Sequence, residues 1–358
     1  MLRRNVRRTA VAILAMAPVL VITACGDDSS SSDTTTTAGS STAASSGDAG
    51  GASGQPIAAV IKGLDNLFFQ TMQQGIEAGA DAAGVTVEIQ AAQSITDTTG
   101  QAERLAALAQ QDFGCFIVNP ITGNNLVQGL AQIAQKDVPV VNIDRPIDAD
   151  AAEAAGVDIA TYIGTDNVEA AELAGQRMVE QLGGTGQVAI IGGVAGDVTS
   201  NDRVTGFTNA AQDSLELLPV IAADWNRQQA LTTATDLMTA NPDLKGIFAA
   251  NDDMALGAAR AVANAGKTDQ ITVIGLDGNE DALQAVQAGE LDATVAQYPY
   301  AVGELGVQAC EAALAGQTLP ENVKAPVALI TSDNVSTALE NFPQPVEEYD
   351  NPLETTGS

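Results

Sequence analysis

Histidine is absent from this 358-residue sequence, and aromatic residues make up only 3% of it. Without an imidazole there is no Ser-His-Asp triad, no Cys-His pair and none of the usual catalytic zinc sites. An enzyme built here would have to run on carboxylates, lysine or a cofactor. Positive charge is scarce too: 15 basic residues stand against 45 acidic ones, a net charge of −30. Nucleic acid and anionic membrane surfaces repel such a chain, which excludes both as direct partners. Phosphate loops are missing as well. The glycine stretch "IGGVAGD" (191–197) is not a G-x-G-x-x-G fingerprint, and neither a G-x-x-x-x-G-K-[ST] loop nor a calcium loop occurs. No cofactor, no metal and no catalytic residue is therefore expected.

What is present begins with a leader. Arg3, Arg4, Arg7 and Arg8 precede an apolar run over 9–23, too short for the ~20 residues of a spanning helix. Small residues then lead to Cys25. Residues 1–24 read as a signal peptide, and the Thr-Ala-Cys junction resembles a bacterial lipobox in which Cys25 is acylated. The alternative is an ordinary signal peptide with a stray cysteine. Residues 25–55 are nearly all Ser, Thr, Gly, Ala and Asp, which cannot bury enough apolar surface to order themselves. They read as a tether with a reach of roughly 30 Å. The chain is thus expected outside the cytoplasm, touching membrane only through its lipid. The remaining cysteines, Cys115 and Cys310, sit among small apolar residues and read as buried free thiols, although this location permits a disulfide.

From residue 56 onward, short apolar runs alternate with stretches of helical period. The runs fall at 57–61, 85–89, 115–119, 138–143, 160–164, 187–192, 217–223, 246–250, 271–276, 293–297 and 326–331. Continuous apolar strands separated by helices imply parallel sheets covered on both faces. Eleven strands are too many for one open sheet of this kind, so two α/β, doubly wound lobes are expected. Ligands on such sheets bind outside the carboxyl ends of the strands. The polar residues there are Asn66, Asn119, Asp144, Arg145, Asn251, Asp277 and Gln297, with Arg203 at a helix start. Phe68 and Phe69 follow the first strand, and Trp225, the single Trp, follows "VIAAD". Hydrogen-bonding groups around flat apolar faces complement a sugar, which has hydroxyls on its edge and C–H groups on its faces.

Those residues, in order and spacing, resemble the ribose-type periplasmic sugar-binding proteins of ABC importers, over about 57–331. Asn66 with Phe68 and Phe69, Asn119-Pro120, Asp144-Arg145, Arg203 ahead of Gly206-Phe207, Trp225, "NDDMALG" with Asn251, Asp277 and Gln297 match that family's motifs in register. The resemblance implies the type I periplasmic binding protein fold with a three-crossing hinge. It implies that the eleven residues Asn66, Phe68, Phe69, Asn119, Asp144, Arg145, Arg203, Trp225, Asn251, Asp277 and Gln297 bind a monosaccharide or polyol. It further implies hinge closure on the ligand, delivery to an ABC permease and function as a monomer. On this basis the first lobe is assigned 56–164 plus 298–327, the second 165–297 plus 328–341, and 342–358 a flexible tail. Crossings are expected near 164–165, 297–298 and 327–329. The family commonly has Pro where Leu67 stands, and Asp65 adds a carboxylate near the pocket mouth. An Asp144/Asp277 glycosidase pair is conceivable, but each carboxylate already has a hydroxyl-binding explanation. A sensory binding protein presenting a sugar-like signal or nucleoside is the serious alternative. For capping, Asp252 or Asp253 is expected to start its helix, and Asp277 is read as a cap, a ligand, or both.

Overall fold

The structure is a computed structural model that describes residues 54–349, 351 and 353. The leader, Cys25 and the tether up to residue 53 lie outside the described residues. In chain order the first sheet is laid down by β1 (Ile57–Ile61), α1 (Leu67–Ala83), β2 (Val87–Ala91), α2 (Thr98–Leu108), β3 (Cys115–Val118), α3 (Val127–Ala134), β4 (Val140–Ile143), α4 (Ala149–Ala155) and β5 (Ile159–Gly164). The chain then crosses into α5 (Asn167–Gln181), β6 (Gln187–Gly192), α6 (Val198–Ala211), β7 (Glu216–Leu217), β8 (Ile221–Ala222) and α7 (Arg227–Ala240). The same lobe continues with β9 (Leu244–Ala249), α8 (Asp252–Asn264), β10 (Thr272–Asp277), α9 (Glu280–Ala288) and β11 (Ala293–Gln297). It returns for α10 (Pro299–Leu314) and β12 (Asn322–Lys324), and crosses again for β13 (Val327–Thr331) and α11 (Val335–Asn341).

Strand order is β12-β5-β4-β3-β1-β2 in the first sheet and β13-β11-β10-β9-β6-β7 in the second, with β8 also on β6. All pairings are parallel except β11 with β13. The reason the strands read as unbroken apolar runs is visible in β1. Ile57, Ala59 and Ile61 enter the core under α1 and α10, while Ala58 and Val60 enter the one under α2 and α3. With a side-chain period of two, both faces must be apolar. In the second lobe Phe207 and Phe248 stack in parallel at 4.3 Å, and the glycine of the Arg-x-x-Gly-Phe motif has a packing cause. A Cβ at Gly206 would come within 2.0 Å of the Val168 carbonyl oxygen, so only glycine lets α6 approach α5 this closely.

Several expectations need correcting. The run 217–223 is not one strand. Pro219 has no N–H to give a ladder, and two short pieces, β7 and β8, flank it. The strand β12 is an addition, too short and polar to show in the sequence, yet it pairs with β5. Because β12 belongs to the first sheet and β13 to the second, the third crossing falls at 325–326, ahead of 327–329, and Val327 belongs to the second lobe. The segment after 341 is no loose tail where it is described. Phe342 and Val346 pack on the second lobe's core, Tyr349 on both cores, and Leu353 is buried in the first lobe's core. The Val346 amide donates to the Tyr298 phenol oxygen at 3.2 Å, beside the second crossing. Cys115 and Cys310 are not free thiols. They form a disulfide, with Cα atoms 5.7 Å apart, that ties α10 to β3 inside the first lobe's core.

Candidate functional site

Both sheets present the carboxyl ends of their strands to a cavity of about 260 Å³ between the lobes. From the first lobe come Asn66, Phe68 and Phe69 at the start of α1, and Asp144 and Arg145 after β4. From the second come Arg203 on α6, Trp225 after β8, Asn251 after β9 and Asp277 ending β10. Phe68 and Phe69 both reach the cavity wall although they are neighbours on a helix. Their rings meet edge to face at 5.2 Å, a favoured geometry for an aromatic pair.

Two candidates stand elsewhere. Asn119 is fully buried and is not on the cavity wall. Its carbonyl accepts from Gln101 Nε2 at 2.8 Å, and Gln101 Oε1 takes the amide of Ile121 at 2.9 Å. The pair braces the loop that brings Ile121 and Thr122 to the cavity. Gln297 is also behind the wall. Its Nε2 donates to Asp277 Oδ1 at 2.8 Å, so it positions that carboxylate from the hinge side.

The charges on the wall cancel in pairs. Lys62 Nζ meets Asp144 Oδ2 at 3.0 Å, Arg203 Nη1 meets Asp277 Oδ1 at 3.0 Å, and Arg145 is paired with Asp197 across the two lobes. Lys62 also lies 5.0 Å from the centre of the Phe69 ring, and the Arg203 guanidinium lies 5.6 Å from the Trp225 ring. Arg203 is anchored further by Nε to Asn167 Oδ1 at 2.8 Å and by Nη1 to the Ala250 carbonyl at 2.7 Å. Lys62 and Asp197 were not among the candidates. Both occur in quoted motifs, but only the folded chain shows that each is the counter-charge of a wall residue.

Backbone strain collects at the same place. Asp144 and Trp225 have φ of 60°, and Asp277 has φ of 147°, conformations that L-residues rarely adopt. Each is held by neighbours. The Asp144 amide donates to the Ile163 carbonyl at 2.8 Å, and the Tyr162 hydroxyl donates to the Asp144 carbonyl at 2.7 Å. Asn142, also unlisted beforehand, braces the following turn by donating to the Arg145 carbonyl at 2.8 Å and accepting from the Ile147 amide at 2.8 Å. Trp225 lies over Gly193, where a Cβ would come within 2.2 Å of the indole, so that glycine is required for the ring to sit where it does.

The cap assignments also change. Asn251, not Asp252 or Asp253, caps α8, its Oδ1 accepting from the Met254 amide at 2.9 Å. Asp277 does not cap α9: its Oδ1 is taken by Arg203 and Gln297, leaving the ligand reading of that residue. Asp252 turns inward instead. The Thr294 hydroxyl donates to its Oδ1 at 2.6 Å and the Asn279 amide to its Oδ2 at 2.8 Å. Burial, reinforced by the nearby Asp277 carboxylate, pushes the Asp252 carboxyl up to about 8. The native state then keeps this proton where the unfolded chain has released it. Its stabilising contribution is complete below about pH 4 and is lost as pH rises towards about 8. In Asp252→Asn the amide retains an acceptor for Asn279 and can donate to the Thr294 oxygen. Urea unfolding at pH 4.5 and pH 8 is expected to show the wild type losing on the order of 2–4 kcal/mol more than the variant over that range. Equal losses in the two proteins would rule out Asp252 as the titrating group.

A cavity between two doubly wound lobes, lined by aromatics and by neutralised charge, defines a small-molecule binding protein that grips its ligand from both sides. Comparison with known proteins agrees. A family model described as periplasmic binding protein domain matches residues 57–318. The chain is 37% identical to the D-allose-binding periplasmic protein of Escherichia coli over 273 residues, covering 75% of this chain and 88% of that one. It is 35% identical to the ribose import binding protein of Bacillus subtilis over 275 residues, covering 77% and 87%. Among solved structures, an ABC transporter periplasmic solute binding protein from Actinobacillus succinogenes with bound D-allose aligns with a TM-score of 0.75 at 28% identity, covering 79% of this chain and 99% of that one. The chain belongs to the periplasmic binding protein domain family. Its relatives are binding proteins of transporters rather than enzymes, and this chain is a binding protein located outside the cytoplasm.

Proposed function

We propose that this protein captures one neutral monosaccharide or polyol between its lobes and delivers it to the permease of an ABC importer. One observation carries the choice of ligand. The wall holds three cationic and three anionic side chains, and every one of them is paired with another. An ionic ligand would have to break such a pair, whereas a hydroxyl can bond to the groups left uncommitted. Among the described residues, Asp144 Oδ1, Asp277 Oδ2 and Asn251 Nδ2 have no hydrogen-bond partner. Phe68 and Phe69 supply an apolar face from one lobe and Trp225 from the other. The volume falls just under the ~300–1,000 Å³ typical of drug-sized ligands, as a single sugar requires. The printed ligands of the relatives, D-allose and ribose, belong to this class.

In this reading Asn66, Phe68, Phe69, Asp144, Arg145, Arg203, Trp225, Asn251 and Asp277 touch the ligand, while Asn119 and Gln297 act through neighbours. Cys25 carries the lipid, the segment after it is the tether, and the protein works as a monomer. The anchor is tested by fractionating cells: a Cys25→Ser chain is expected in the soluble fraction, and retention in the membrane fraction would refute the assignment.

The function is tested by thermal unfolding of residues 26–358 with a panel of pentoses, hexoses, polyols and nucleosides. A ligand at a hundredfold excess over Kd adds about 2.7 kcal/mol to the folded state and raises the midpoint. Trp225→Ala is expected to weaken the same sugar roughly tenfold or more, through loss of one stacking face. A shift with a nucleoside and with no sugar would overturn the sugar reading and leave the fold intact.

A further inference from the structure

Asp253 is absent from the cavity wall, yet it stands where the two lobes meet. It occupies the first turn of α8, and the second lobe alone fixes its carboxylate. Arg227, opening α7, donates to Asp253 Oδ1 from Nε at 3.0 Å and from Nη2 at 2.7 Å. The same Nη2 reaches Asp281 Oδ2 in the first turn of α9 at 2.6 Å. Three helix starts are thereby tied together without help from the first lobe. The other oxygen of Asp253 faces across: Asn66 Nδ2 of the first lobe donates to Oδ2 at 3.0 Å. Asn66 is itself buried and doubly held, because its Oδ1 caps α1 by accepting from the Phe68 amide at 2.9 Å.

We infer that Asp253 is a positioning residue that sets ligand affinity through Asn66 without touching the ligand. Its acceptor is charged and already in place before the lobes meet, so the bond to Asn66 forms at little cost in ordering. Closing the cleft makes the bond and opening it breaks the bond. The bond also holds Asn66, which starts the helix turn bearing Phe68 and Phe69. Two other polar contacts join the lobes, and neither isolates this effect. Arg145 and Asp197 both line the cavity, so altering them disturbs the ligand directly. Lys324 with Glu169 and Asp166 is half exposed and contributes little.

This inference rests on the proposed capture of a ligand by lobe closure, and its test separates the two. The mature chain is mixed with D-ribose or D-allose, and dissociation is followed by the fluorescence of Trp225, the single Trp. Asp253→Ala is expected to raise koff about tenfold and to change kon little, since the bond forms after the ligand has entered. Asp281→Ala, which leaves the Asn66 bond in place, is the control and is expected to keep koff within about twofold. In an Asn66→Ala background, Asp253→Ala is expected to have almost no further effect. Small-angle scattering of the ligand-free protein supplies a second reading, with a larger radius of gyration in Asp253→Ala. An unchanged koff, or effects of Asn66→Ala and Asp253→Ala that simply multiply, would overturn the inference while leaving sugar capture standing. Failure of every sugar to bind would instead overturn the proposed function. Scattering would then decide the inference, an unchanged radius in Asp253→Ala refuting it.

Discussion

Replacing Arg203 with methionine is expected to abolish ligand binding and to lower the free energy of unfolding by about 3–5 kcal/mol. The guanidinium is buried and bonded to Asp277, Asn167 and the Ala250 carbonyl, and it lies against the Trp225 ring on the cavity wall. Methionine fills much of the same volume but leaves the Asp277 carboxylate buried without its counter-charge, which is where most of the cost arises. Burial already raises the Asp277 carboxyl, and Arg203 is the strongest influence holding it down. Stability of Arg203→Met is therefore expected to recover on adding Asp277→Asn, while binding stays lost in both variants. Urea unfolding and the thermal shift with sugar read the two effects separately. A single variant as stable as the wild type would show that the pair is no structural keystone. A double variant that regained binding would remove Arg203 from the ligand set.

The second large effect comes from a bond. Changing Cys115 and Cys310 together to alanine is expected to cost about 2–5 kcal/mol, measured by urea unfolding under identical conditions. The cysteines are 195 residues apart, and the chain-entropy model gives about 5 kcal/mol for closing a loop of that length. The loop contains the whole second lobe, so the disulfide holds the returning helix α10 on the first lobe whatever the second lobe does. Neither cysteine reaches the cavity, and the thermal shift with sugar should survive the double change. A loss under 1 kcal/mol would mean that packing of α10 against α1 suffices without the link.

Most of the site was legible in one dimension because of how doubly wound sheets present ligands. A residue just past an apolar strand must lie at the carboxyl edge of a sheet, so position along the chain already implies position at the cleft. That argument reaches Asn66, Asp144, Arg145, Asn251 and Asp277 directly. It over-reaches at Asn119 and Gln297, which stand at the same edge but turn behind the wall to brace Gln101 and Asp277. Edge position sets where a residue is, whereas its direction depends on what packs around it. The argument misses Lys62 and Asp197 for a related reason. A salt bridge joins residues 82 apart in one case and 52 apart in the other, and such pairing has no period to read.

The sequence by itself determined the class of structure and the chemical kind of ligand. Alternation of apolar runs and helical stretches, the absence of histidine and phosphate loops, and two aromatic clusters at strand ends leave few other readings. These are local properties, written in neighbouring residues. The tertiary structure alone decided what depends on contacts between distant residues. It joined Cys115 to Cys310, folded the C-terminal segment onto both lobes, turned Asp252 into the core and set Asp253 against Asn66. Each of these is a contact made only because two lobes, interleaved along the chain, come to rest on one another, and no pattern of spacing along the sequence contains it.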